Sequence, residues 1–84
     1  MQSTVFVVDD SPEICELLKD IGRTIHLPVE TFHCPEQFLS SCKTDRPGCI
    51  VSDVRLPNMS GLEMQSRLKA MGVKLPIIFI TGHA

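Results

Sequence analysis

Short apolar runs that end directly on aspartates constrain this chain more than any other feature. Val5-Phe6-Val7-Val8 runs into Asp9 and Asp10, and Cys49-Ile50-Val51-Ser52 runs into Asp53. An apolar run of this length bounded by a turn signal reads as a strand, and one buried on both faces belongs in a parallel sheet. If the two strands are neighbours, their carboxyl ends bring Asp9, Asp10 and Asp53 together. Adjacent carboxylates repel unless a cation sits among them. Mg²⁺ suits such a place, because it takes one or two carboxylates and completes its shell with water and substrate phosphate oxygens. A phosphate-handling site is therefore the first functional expectation.

The remaining segments fill in the architecture. Ser11 is a good N-cap and Pro12 a good first helical residue. Ile14, Leu17, Leu18, Ile21 and Ile25 then recur at helical spacing as one apolar face, with Gly22 and Pro28 bracketing its end. Val29-Glu30-Thr31-Phe32 alternates like a half-buried edge strand. A shorter helix starting at Pro35 carries Phe38 and Leu39, and Asp45-Arg46-Pro47-Gly48 is a turn. After Asp53 comes a loop rich in breakers. Ser60 and Glu63 then have the spacing of a capping box, opening a third helix with Leu62, Leu68 and Met71 on its apolar face and Gly72 at its end. Pro76 leads into a fourth strand, Ile77-Ile78-Phe79-Ile80, which delivers Thr81 and Gly82. Strand and helix alternate, which predicts an α/β doubly wound parallel sheet. The edge-like second strand beside apolar first and third strands gives the order 2-1-3-4. Ligands in such sheets sit at the carboxyl ends where strand order reverses, here between the first and third strands.

Composition narrows the function classes. With 84 residues the chain holds at most one domain, 43% hydrophobic and 21% charged. A net charge of -2 does not point to nucleic acid or an anionic membrane. No apolar run approaches the length of a membrane span. The opening residues lead straight into a strand, so no signal peptide is expected. The cysteines at 15, 34, 42 and 49 form no C-x-x-C pair and read as reduced structural thiols, which predicts a cytoplasmic setting. His26 and His33 read as exposed or partnered residues, and Met59, Met64 and Met71 as packing residues.

The motifs in order resemble the receiver domain of bacterial two-component response regulators. The matching residues are Asp9-Asp10 after the first strand, the D-x-x-x-P-x-M-x-G loop from Asp53 through Pro57 and Met59 to Gly61, and Thr81-Gly82 after the fourth strand. Val-Phe-Val-Val-Asp-Asp and Ile-Phe-Ile-Thr-Gly-His are similar in wording to FixJ-like regulators. The likeness runs from about residue 4 to the last residue.

The resemblance implies a flavodoxin-like fold and a set of roles. Asp53 would be the phosphoacceptor, a carboxylate nucleophile forming an acyl phosphate. Asp10 and Asp53 would bind Mg²⁺ directly, Asp9 through water, and Arg55 through its backbone carbonyl. Thr81 would contact the phosphoryl group and act as the switch. Arg55, His83 and Gly82 would tune the rate. A sensor histidine kinase would be the phosphoryl donor. DNA would be reached only through an output domain outside these residues, with no membrane partner. The chain would be a phosphoacceptor promoting its own phosphorylation and dephosphorylation rather than a conventional enzyme.

A full receiver adds a fourth helix, a fifth strand and a fifth helix, and a lysine ends that fifth strand. The expected reading of residues 1–84 is thus a single, partial receiver domain without that lysine. Lys74 precedes the fourth strand, and six strand residues span about 20 Å, so it does not reach the carboxylates from the other end of the sheet. Lys19 and Lys69 point to solvent by periodicity. Two further expectations follow. Phosphorylation should be slow, and Ile50, Ile78 and Ile80 should lie bare with part of the first helix, favouring a dimer. The alternative to the switch is a non-phosphorylatable module that self-associates or binds a partner.

Overall fold

The computed structural model describes residues 3–41, 46–56 and 58–80. Their order is β1 (Thr4–Val8), α1 (Pro12–Thr24), β2 (Val29–Phe32), α2 (Pro35–Ser41), β3 (Gly48–Asp53), α3 (Gly61–Ala70) and β4 (Ile77–Ile80). All pairings are parallel and the sheet order is β2-β1-β3-β4, as the sequence predicts. β1 therefore lies between β2 and β3, with Phe6 level with Glu30 on one side and Ile50 on the other.

Alternation along the strands gives the sheet two unlike faces. Phe6, Val8 and Ile50 point to one face and form the core with Phe38 of α2, Met64 and Leu68 of α3, Met59 and Val73. Phe38 anchors it, with ring centroids 5.6 Å from Phe6 and 5.1 Å edge-on from Phe32. The opposite face is met by α1. The helix approaches β2 so closely that a Cβ on Gly22 would sit 2.5 Å from a methyl of Val29. Gly22 is thus an interior helical residue at a contact, not the end of the helix, which runs on to Thr24.

Two expectations about burial are corrected, for Ile50 and for the apolar stripe of α3. Ile50 is fully buried, because its face is the one closed by α2 and α3. Ile78, level with Val51 on the other face, is 56% exposed as expected. Of the predicted α1 stripe, Leu17, Ile21 and Ile25 are exposed and Ile14 and Leu18 half-buried, in line with the expectation that part of the first helix lies bare. In α3, Leu62 and Met71 are likewise exposed, and Met64 and Leu68 carry the packing. Here the helices are wide enough in apolar surface that only part of each stripe meets the sheet.

The helix ends follow the sequence. Ser11 caps α1 by accepting from the Ile14 N–H, and Ser60 caps α3 by accepting from the Glu63 N–H at 3.1 Å. Gly72, at φ +80°, turns the chain out of α3 in a conformation that glycine adopts freely. No helix among the described residues is long and apolar enough to cross a membrane.

Candidate functional site: three carboxylates at the carboxyl ends of β1 and β3

β1 and β3 are hydrogen-bonded neighbours, with α1 following one and the loop to α3 following the other. Asp9 and Asp10 follow β1, and Asp53 is the last residue of β3. One carboxylate oxygen from each of the three lies within 4.8 Å of the others. Asp9 and Asp53 are buried and Asp10 is exposed. The cluster thus has two buried carboxylates and one open to solvent.

Local hydrogen bonds fix the buried pair. The Asp9 N–H donates to the Phe32 carbonyl at 3.0 Å, tying the end of β1 to β2. The Asp9 Oδ1 accepts from the Ser11 N–H at 2.9 Å, so the first acid is held by the residue that caps α1. The Cys15 thiol, one turn into the helix, donates to the Asp9 carbonyl at 3.6 Å. Burial, and next the charge of Asp9, push this thiol above its ordinary range, so it stays protonated as a donor. Asp53 Oδ1 accepts from the Arg55 N–H at 3.0 Å. Oδ2 is then the oxygen available to a ligand or an electrophile.

The loop after Asp53 is kept open and close at once. Val54 donates to Ile80 at 3.2 Å, and Gly61 donates to Val54 at 3.0 Å, folding the loop back over the strand. A Cβ on Gly61 would meet both the Asp53 carbonyl oxygen and the Phe79 ring at 2.8 Å. Met59 is buried in the core, and Asn58 turns the loop at φ +68°, a conformation asparagine tolerates. Pro57, Thr81, Gly82 and His83 lie outside the described residues.

The all-oxygen donor set fits a hard divalent cation. Two of its carboxylates are withdrawn from water beside a third, an arrangement of like charges that a cation relieves. The sequence located all three acids. It missed Ser11 and Cys15 as supports of Asp9, although their spacing from Asp9, at i+2 and i+6, suits a cap and a first-turn contact.

Comparison with known proteins agrees with this geometry. The family model for the response regulator receiver domain matches residues 5–84. Response regulator protein TodT of Pseudomonas putida is 42% identical over 81 residues, covering 96% of this chain and 36% of TodT. The structure of response regulator StyR superposes with a TM-score of 0.94 at 43% identity, covering 100% of this chain and 42% of that one. The structure of FixJ-N superposes with a TM-score of 0.88 at 32% identity, covering 100% of this chain and 67% of that one. The chain thus spans little more than a third of the length of TodT. With the motif order, the 2-1-3-4 sheet and the carboxylate cluster in agreement, the chain belongs to the response regulator receiver domain family.

Proposed function

We propose that this chain accepts a phosphoryl group on Asp53 from a sensor histidine kinase and, through that change, switches an output domain of a longer protein. The carrying observation is the meeting of Asp9, Asp10 and Asp53 within 4.8 Å, with Asp53 Oδ1 already engaged by the Arg55 N–H. Oδ2 attacks the phosphorus of a phosphoimidazole donor. The new P–O bond forms as the P–N bond breaks, and the departing imidazole keeps the electron pair and takes a proton. The product is an acyl phosphate. The chain is in this reading a phosphoacceptor that also promotes the later attack of water on the acyl phosphate, which frees Asp53 and inorganic phosphate, not a turnover enzyme.

Asp10 and Asp53 would hold Mg²⁺ directly, with Asp9 acting through water and Arg55 through its carbonyl. When bound, Mg²⁺ neutralises charge on the carboxylates and on the transferring phosphoryl oxygens. The Ser11 N–H holds Asp9 Oδ1 and the Cys15 thiol holds the Asp9 main-chain carbonyl, so the acid is oriented before a ligand arrives. Thr81 would contact the phosphoryl group, and Arg55, Gly82 and His83 would set its lifetime. The names of relatives such as TodT, a response regulator protein, support a regulatory output, and a transcriptional one would reach DNA through residues outside this chain.

The test is incubation with Mg²⁺ and acetyl phosphate, read by intact mass. A phosphoryl mass increment that disappears in Asp53→Asn supports the reading, and its absence in the parent chain refutes it. A second reading, self-association with another copy, draws on the exposed Leu17, Ile21 and Ile25 of α1 and on Ile78 of β4. Light scattering coupled to gel filtration tests it: a mass that stays monomeric as concentration rises refutes it.

A further inference from the structure

Among the described residues Ser52 is the polar side chain most completely withdrawn from water, at 0% exposure, immediately before Asp53. Its neighbours in register are Val8 of β1 and Phe79 of β4, so it stands in an apolar layer where a hydroxyl is costly unless bonded. The hydroxyl donates to the Asp53 carbonyl oxygen at 2.9 Å. Gly61 lies close to that same oxygen, since a Cβ there would come within 2.8 Å of it. The nitrogen of the same peptide, Val54 N–H, donates to Ile80. The Asp53–Val54 peptide is therefore held at both of its polar atoms. The next peptide supplies the Arg55 N–H that engages Asp53 Oδ1. The tilt of the first peptide sets where that N–H points, and hence which way the carboxylate faces.

We propose that Ser52 is a positioning residue for Asp53: its buried hydroxyl fixes the Asp53–Val54 peptide, and through it the next peptide, whose Arg55 N–H orients the carboxylate. The proposal rests on the reading of Asp53 as phosphoacceptor for its functional consequence, but its structural part does not. A carboxylate that must meet phosphorus in line is sensitive to small rotations, and supporting hydrogen bonds are what hold such groups in place.

The experiment uses the full chain and three variants. Ser52→Ala removes only the hydroxyl, Ser52→Cys puts a larger and weaker donor in its place, and Ile77→Val trims the opposite end of β4 as a control. Amide exchange of the Arg55 N–H is followed by NMR, and phosphoryl uptake from acetyl phosphate by mass. The expected result is exchange at Arg55 and uptake both changed by roughly three- to tenfold in Ser52→Ala, the scale of one hydrogen bond. Ser52→Cys should fall between, and Ile77→Val should leave both unaltered. Arg55 exchange in Ser52→Ala no faster than in Ile77→Val overturns the proposal. So does faster exchange with unchanged uptake. If the parent takes up no phosphoryl group, the proposed function fails, and the Arg55 exchange alone then decides whether Ser52 positions the carboxylate.

Discussion

At the amino end of the strands, Arg46 lies over the Phe6 ring, 4.9 Å from its centroid, and forks onto both carboxylate oxygens of Glu30. At the carboxyl end, Asp9, Asp10 and Asp53 crowd within 4.8 Å of one another. The same sheet thus carries a matched ion pair at one end and three like charges at the other. A matched pair in partial contact with water does little beyond local order. Gathered like charges lower stability until a cation or phosphoryl group arrives, and so make the fold responsive to those ligands. The amino end is built for permanence and the carboxyl end for change.

The sharpest test of that contrast is Asp53→Asn. The amide keeps an oxygen for the Arg55 N–H but is no nucleophile, so phosphoryl uptake should vanish. Without divalent metal, the variant should also melt above the parent, because one of the three charges is gone. A lower melting temperature in EDTA would break the comparison, since the carboxyl end would then be stabilising as it stands.

Gly48→Ala probes the other end. Gly48 has φ +148°, and a Cβ there would lie 1.9 Å from the Thr4 carbonyl oxygen, so β1 and β3 would have to separate. The expected loss is about 3 kcal/mol in urea unfolding. A loss below about 1 kcal/mol would mean that the amino end yields readily and is no rigid base for the site.

Mg²⁺ should have a smaller effect, at the carboxyl end alone. For millimolar affinity and a tenfold excess, mass action raises stability by about 1.4 kcal/mol. Thermal melts with and without Mg²⁺ measure this, and the increment should shrink in Asp53→Asn but persist in Arg46→Met. An increment equal in all three chains would place the ion elsewhere.

The carboxyl end was legible in the sequence because strand runs and their terminal acids are local patterns. Strand order followed from which runs were apolar throughout and which alternated. What stayed hidden depends on which neighbour covers which face. Ile50 and Ile78 look alike in the sequence, yet α2 and α3 close over the first and the second is exposed. Gly22 looked like a helix stop, and only the approach of Val29 reveals it as a contact. The Arg46–Glu30 pair was equally out of reach, because 16 residues separate Glu30 on β2 from Arg46 just before β3, and they meet only across β1. Thr81, Gly82 and His83, legible as motif, lie outside the described residues.

The smallest expected effect concerns pH at the amino end. The hydrogen bonds from Arg46 hold the Glu30 carboxyl below its ordinary 4.5, with burial opposing and the Arg46 charge assisting. A carboxyl depressed in the folded state binds fewer protons there than in the unfolded chain. Its stabilising contribution is therefore fully present above about pH 5 and is lost as pH falls below 4.5 through the folded value. The side chains are 38% and 43% exposed, so water screens the pair and its coupling should be only about 0.5 kcal/mol. A double-mutant cycle of Glu30→Gln and Arg46→Met, by urea unfolding at pH 7 and again near pH 3.5, reads that coupling directly. It should be present at the higher pH and fade at the lower. A coupling absent already at pH 7 would mean that Arg46 is held by the Phe6 ring rather than by the carboxylate, and the amino end would then owe its permanence to packing instead of charge.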